Sequence, residues 1–331
     1  MKRSTTKPDP LSWYARKAAR AAEPLPGVEP SQERVERLRG LLEELEEAGI
    51  KGDFEHMTLY TRRLPPGCRS CVAGKGTNVY VTGLCTRDCF FCFNQKPRKD
   101  ELVVHGIPVR EPEEAAEIVR RYGLRSVGLS GGEPLMFPER VLRLLSALKT
   151  MRPAPLVDLY TNGDRADEAL LRRLQDAGLD GIRFDAAARD YDLAPIALAR
   201  RIFEDVSVEI PVIPEDRERL ERLVLDLDAL RVPFLNIHEL FLCAENSARV
   251  VGEGQTPLED SSRHLLWRPT AESGEAALEL LLFALRRASH LSVYYCSTGT
   301  QEMIAARGLR RRRRAAAACG GLAQAPGTEP A

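Results

Sequence analysis

From Asn78 onward, short apolar runs alternate with amphipathic stretches of helical period, and this limits the fold of the 331-residue chain more than any other feature. NVYVTGL, SVGLSGG, LVDLYTNG, GIRFD, SVEIPVIP and FLNIHEL read as strands. EPEEAAEIVRRYG, PERVLRLLSALKT, RADEALLRRLQDAG, a segment ending near Phe203, and RERLERLVLDLDAL read as the helices between them. Pro112 stands near a first turn and Gly123 just past a helix end, where a missing N–H and a left-handed residue are each tolerated. Intervals of roughly 25–45 residues are long enough for parallel crossovers. Right-handed crossovers of about six such β/α units curl a sheet into a full or partial barrel. The expected fold class is α/β, a partial (β/α)6 TIM-like barrel.

The flanks are different. SQERVERLRGLLEELEEAG is expected to form a helix, with Val35, Leu38, Leu41, Leu42 and Leu45 at helical spacing and Gly49 as the stop. Residues 1–60 are thus a lead-in plus this N-terminal helical extension, and 61–243 the core with a cysteine-bearing loop ahead of it. Residues 244–306 form a C-terminal extension, loop-rich to 272, then a helix from Glu275 to Ala288 with Ser273 as N-cap, and a late strand LSVYYCS. Residues 307–331, with Arg310 through Arg314, read as a disordered tail.

Lys+Arg and Asp+Glu are both 48, so the formal charge is zero. That excludes a globally basic nucleic-acid binder, and the Arg310–Arg314 run, without interleaved aromatics, reads as a solvated tail, with contact to phosphates of RNA or a nucleotide as the alternative. The apolar run Ala276–Leu285 is broken by Glu279 and is too short for a membrane span. The N-terminus lacks the apolar stretch of a secretory signal, so a cytoplasmic location is expected.

Eight cysteines carry the chemistry. In a cytosolic chain, clustered cysteines read as metal or catalytic sites before disulfides. Cys85, Cys89 and Cys92 form a C-x3-C-x2-C loop directly after the first core strand. Ordinary iron–sulfur clusters take four cysteines, so three point to an iron left open for a substrate, as open positions are at other catalytic metals. A zinc loop borrowing a fourth ligand is the alternative. Upstream, Cys68 and Cys71 form C-x2-C, and Cys296 could return to them. An auxiliary iron–sulfur cluster on Cys68, Cys71 and Cys296 is expected, with Cys243 or a substrate completing it. Structural zinc or a redox dithiol are its rivals. Cys243 alone reads as a small core hydrophobe, and Cys319 lies in the tail.

CTRDCFFC, with Phe91 before its last cysteine, then SGGEPLM, then LYTNG, stand in that order at the ends of successive strands. In this the chain resembles the radical S-adenosylmethionine (SAM) superfamily, and GLC…CFFC followed by AGLDGIRFD is similar to an uncharacterised branch related to pyruvate formate-lyase activating enzymes. The resemblance covers roughly residues 60–300 and implies a [4Fe–4S] cluster on Cys85, Cys89 and Cys92, with SAM on the fourth iron. Reductive cleavage would give methionine and a 5′-deoxyadenosyl radical that takes hydrogen from a substrate.

It further implies that Gly131 and Gly132 let the backbone approach the methionyl group, with Pro134 completing the motif, and that Glu133 accepts from the ammonium. Phe91 would seat the adenine, and Thr161 and Asn162 would lie near the ribose or carboxylate. Arg183 and Asp185, two apart on one strand face, are either SAM or substrate contacts or a mutually paired couple. His238, Glu239, Glu245 and Asn246 are candidates for the substrate side, or structural. The implied partners are a flavodoxin- or ferredoxin-type donor and an unidentified substrate, a protein in the activase analogy. RNA or a small biosynthetic molecule are alternative substrates, and a non-catalytic zinc-stabilised binding module is the reading from a different class.

Overall fold

A computed structural model describes residues 31–252, 265 and 267–318. Cys319 and residues 1–30 lie outside the described residues, as does part of the expected loop-rich stretch. Helix α1 (Gln32–Glu47) is capped by Ser31, whose hydroxyl accepts from Arg34 N, and Gly49 ends it at φ +84°. Its Leu38, Leu41, Leu42 and Leu45 pack on the core, whereas Val35 faces solvent.

An antiparallel hairpin, β1 (Lys51–Asp53) and β2 (Thr58–Tyr60), is followed by α2 (Pro66–Val72), which carries Cys68 and Cys71. The first core strand is β3 (Gly76–Thr82). After the cysteine loop, the short β4 (Val103–Val104) and β5 (Ile107–Pro108) pair along its free edge.

The repeating units come next. Helix α3 (Glu114–Arg121) leads to β6 (Ser126–Gly131), α4 (Pro138–Lys149) to β7 (Leu156–Thr161), and α5 (Glu168–Asp176) to β8 (Gly181–Phe184). Then α6 (Ala194–Arg200) leads to β9 (Asp205–Val212), and α7 (Arg217–Ala229) to β10 (Phe234–Glu239). Beyond them lie β11 (Phe241–Leu242), α8 (Ser247–Gly252), β12 (Arg268–Pro269), α9 (Ala271–Arg287), β13 (Ser292–Cys296) and α10 (Thr298–Ala318).

The sheet order is β1-β2-β13-β10-β9-β8-β7-β6-β3-β4-β5. From β13 to β3 all neighbours are parallel, so the six expected strands are present and the late strand is a seventh. Antiparallel strands flank both ends of the row, and β3 does not pair with β13. The result is a partial (β/α) barrel, as expected.

Strand parity divides the sheet into two chemistries. Val79, Leu129, Leu159, Ile182, Val208, Leu235 and Val293 are fully buried, in one core with helix residues such as Leu144, Leu171, Leu220 and Leu281. Each such side chain contributes about 1.5–3 kcal/mol by leaving water. The alternate positions line the other face: Asn78, Gly128 and Asp158 in one register row, and Arg183, Ser207, Glu209, Asn236 and Tyr294 across the rest.

Two expectations in the C-terminal part need correction. Helix α9 starts at Ala271, and Ser273 lies inside it, not at its cap. The Ser273 hydroxyl donates to Val212 O at 2.5 Å and accepts from Leu240 N at 2.7 Å, so sheet carbonyls and amides claim it instead of the helix terminus. The arginine run is not a disordered tail through 318 but part of α10. Arg307 and Arg311 donate to Val72 O and Gly74 O, at the end of α2, and Arg312 donates to His105 Nε2 at 3.1 Å. Exposed carbonyls at a helix end attract cations, which a composition-based reading of the run does not register. Among the described residues, no helix is long and apolar enough to cross a membrane.

Candidate active site at the C-terminal strand ends

The three sequence motifs meet at the C-terminal ends of β3, β6 and β7, where barrels of this type place their chemistry. Gly132 N donates to Thr82 O at 2.7 Å and Glu133 N to Leu84 O at 2.8 Å, joining the end of β6 to the chain entering the cysteine loop. A Cβ at Gly131 or Gly132 would overlap the carbonyls of Thr82 or Leu84. The two glycines are therefore needed for this backbone approach, whatever they also offer a ligand. Asn94 adds a 2.6 Å bond to Gly131 O from the far side of the loop.

The Glu133 carboxylate is fully buried and accepts from Leu135 N at 3.0 Å, Thr161 Oγ1 at 2.8 Å and Asn162 N at 2.7 Å. It ties the β6 end to the β7 end, and burial raises its pKa although the three donors oppose that. Pro134, also buried, opens the 3-10 turn that follows.

Thr161 Oγ1 accepts from Gly163 N, and Asn162 Nδ2 donates to Thr86 Oγ1 at 2.9 Å with Cys85 Sγ 3.7 Å away. Asp164 completes this clamp. It accepts from Thr86 Oγ1 at 2.7 Å, from Arg87 Nε and a terminal nitrogen at 2.8 and 2.6 Å, and from Arg189 at 2.6 Å. These partners, Arg87 first, bring its pKa down to about 2. The cysteine loop is thus held to β7 by a charged network.

Cys85, Cys89 and Cys92 are half-buried free thiols. Cys92 N donates to Cys89 O, Arg87 N approaches Cys85 Sγ at 3.4 Å, and Arg98 approaches Cys92 Sγ at 3.9 Å. Burial, then the charge of Asp185, pushes Cys89 up to about 12, and burial also raises Cys85. Phe91 meets Phe90 edge-on at 5.4 Å and packs on Leu240, Leu242 and Val250, while its carbonyl accepts from Asn246 at 3.0 Å. Asp185, half-buried, accepts from Ala188 N, and desolvation lifts it to about 7.

The other candidates separate. Arg183 pairs with Asp158 at 2.9 Å and Glu209 at 3.3 Å rather than with Asp185. His238 stacks on Phe241 at 5.0 Å, and Phe241 packs on Phe93 and Trp267. Glu239 points to the opposite sheet face, accepting from Tyr295 Oη at 2.7 Å and from Thr298 N at 3.0 Å at the start of α10. It is a helix-terminal anchor rather than a substrate-facing group. Cys243 and Asn246 share one turn, with Cys243 N donating to Asn246 Oδ1 at 2.9 Å.

The sequence reading did not single out Asn94, Asp158, Asp164, Glu209 or Asn236. For Asp158, Glu209 and Asn236 a signal existed: each is a polar residue at an inward parity position of an otherwise apolar strand, in LVDLY, SVEIPV and FLNIHE. For Asn94 none did.

A tetrahedral zinc with Zn–S near 2.3 Å holds its sulfurs about 3.8 Å apart. Among the described residues, the trio whose ligand atoms all fall within 4.8 Å of one another is Asp53, Glu55 and His56; neither cysteine triad is drawn into a single-ion sphere. Three half-buried free thiols on one loop, with Arg87 N directed at Cys85 and Arg98 at Cys92, fit a cluster held at three irons.

Comparison with known proteins agrees. Residues 79–202 match the model of the radical SAM superfamily. A Methanocaldococcus jannaschii protein, provisionally named glycyl-radical enzyme activating enzyme MJ0021, is 30% identical over 231 residues, 66% of this chain and 60% of that protein. Lipoyl synthase of Halorhodospira halophila is 31% identical over 177 residues, 46% of this chain and 51% of that one. The chain thus spans about half to three-fifths of these relatives' lengths. Among solved structures, Streptococcus suis SuiB bound to precursor peptide SuiA aligns over 70% of this chain and 50% of its own, at 14% identity and TM-score 0.42. The superfamily uses a [4Fe–4S] cluster and SAM, and the donors described above suit both. Residues 79–202 thus match a radical SAM superfamily domain.

Proposed function

We propose that the chain is an enzyme that cleaves SAM reductively and abstracts hydrogen from a substrate, with an activating role on a partner protein. The observation that carries this reading is the convergence of Cys85, Cys89 and Cys92 with the Glu133–Thr161–Asn162 network at one end of the barrel. Held by Cys85, Cys89 and Cys92, a [4Fe–4S] cluster would supply the electron, and SAM bound beside it would supply the group that takes hydrogen from the substrate.

The chain's own residues do the positioning. Cys85, Cys89 and Cys92 would hold three irons and leave the fourth to SAM. Asp164, through Arg87 and Thr86, fixes the loop that presents them. Glu133 orders Thr161 and Asn162, and Asn162 in turn steadies Thr86. Gly131 and Gly132 let the β6 end lie against the loop. Asp185, beside Cys89, offers an acceptor for a SAM hydroxyl or ammonium, and Phe91 a face for the adenine. His238 stacks on Phe241, which packs tilted against Trp267.

The relative's provisional name supports a protein substrate and, with it, a low-potential flavodoxin- or ferredoxin-type reductant. The unpaired clustered thiols support the cytoplasm. The test is anaerobic reconstitution followed by incubation with SAM and dithionite. Methionine and 5′-deoxyadenosine in equal amounts, absent from the Cys85→Ala/Cys89→Ala/Cys92→Ala variant, are expected; iron-loaded protein that leaves SAM intact would overturn the reading.

A further inference from the structure

The second group of cysteines is assembled by two distant parts of the chain. Cys68 and Cys71 sit on α2, which packs against β3, β6 and β7, and Cys296 ends β13. Each of the three thiols lies within electrostatic reach of the other two. Helix α2 reaches this position because residue 67 is glycine: a Cβ there would overlap the Asp158 carboxylate and stand 3.1 Å from the Arg183 guanidinium.

Buried donors point at one of the sulfurs. Arg183, 3% exposed, directs one nitrogen at both Cys68 Sγ, at 3.4 Å, and Glu209, at 3.3 Å, while its other two donate to Asp158. Asn236 Nδ2 donates to Cys68 Sγ at 3.5 Å and to Glu209 at 2.9 Å. One further polar atom in this lining, Asn236 Oδ1, is buried and has no hydrogen-bond partner, although such atoms are nearly always satisfied in native interiors. Asn236 is 2% exposed, and the Tyr294 hydroxyl meets Cys296 with Cys68 and Cys71 close by. Buried donors aimed at sulfur, together with an orphaned polar atom next to it, are the surroundings of a bound group.

We propose that Cys68, Cys71 and Cys296 hold a second [4Fe–4S] cluster on the inner face of the barrel, with Arg183 and Asn236 donating to the Cys68 ligand. A cluster fits better than zinc, because these thiols too are not gathered within a single-ion sphere. No fourth thiolate comes from Cys243, which is bonded into the Asn246 turn. Glu209 is the carboxylate bordering the triad, and it lies within electrostatic reach of Asp185 as well. The second centre therefore adjoins the interior that the first one faces. Hydrogen bonds to the sulfurs from Arg183 and Asn236 would tune it.

The proposal does not depend on SAM chemistry, and its test is arranged accordingly. The full chain, wild type and variants, is reconstituted anaerobically with iron and sulfide, then assayed for iron, sulfide and zinc, with circular dichroism as the folding control. Wild type should bind about eight irons and the Cys85→Ala/Cys89→Ala/Cys92→Ala variant about four, with an EPR signal on reduction. Adding Cys296→Ala to that variant should remove the remainder. A folded triple variant that binds no iron, or that takes up one zinc instead, overturns the proposal. Should that variant fail to fold, the single Cys296→Ala variant decides: half the wild-type iron supports the second cluster, and an unchanged count refutes it.

Discussion

Replacing Glu133 by alanine separates a structural carboxylate from a ligand-binding one. The substitution strands the N–H groups of Leu135 and Asn162 in a buried setting and frees the Thr161 hydroxyl to seek another acceptor. Each stranded donor costs about 1–3 kcal/mol, so the pair costs roughly 2–6 kcal/mol. Removing a buried charge whose ionisation burial disfavours offsets part of this, leaving a net loss of about 3 kcal/mol. Glu133→Gln keeps an acceptor for two donors and opposes an amide to the third, so it should cost about 1–2 kcal/mol. With a urea m-value of about 3 kcal/mol/M, the alanine variant should unfold about 1 M earlier than wild type. The assay is urea denaturation of the chain without iron or SAM, where a residue that only binds ligand would have no effect. An alanine variant with a midpoint within about 0.2 M of wild type would refute the latch.

Acid should destabilise the chain through His105. Its ring takes part in the Thr77 contact at 2.8 Å and accepts from Arg312 at 3.1 Å, and burial, then the Arg312 charge, lowers its pKa from 6.5 to about 3. The folded pKa lies below the unfolded one, so the contribution is complete above pH 6.5 and is lost as the pH falls toward 3. Over that 3.5-unit span the loss is at most about 5 kcal/mol; His105→Asn, which tolerates the positive φ at this position, should flatten the dependence measured by urea midpoints between pH 7 and 4.5. Asp164→Asn should loosen the cysteine loop by weakening charged bonds from Arg87 and Arg189. A loss of about 1.4 kcal/mol would speed iron release to a chelator about tenfold, and an unchanged release rate would remove Asp164 from that role.

The sequence made the parallel strands legible because apolar runs of the right length recur at crossover spacing. Strand parity also carried information: Arg183 and Asp185 were placed on one face, and Asp158, Glu209 and Asn236 obey the same rule. What stayed hidden was set by contacts far apart in the chain. Ser273 looked like a cap because the carbonyl of Val212, which captures its hydroxyl, is 61 residues away. The arginine run looked solvated because the α2 carbonyls that it meets are more than 230 residues upstream. No local pattern reveals that two backbone amides and a threonine surround the Glu133 carboxylate. Cys296 was grouped with Cys68 and Cys71 from composition alone, and strand order supplied the physical route.

The central claim is that three thiols grip a cluster at one end of the barrel and leave an iron for SAM. EPR of the reduced Cys68→Ala/Cys71→Ala/Cys296→Ala variant, recorded with and without SAM, addresses it directly because only the C-x3-C-x2-C loop then remains to bind iron. A signal that shifts when SAM is added, and couples to nitrogen-15 in the labelled amino group, is the predicted result. A spectrum indifferent to saturating SAM would contradict the account.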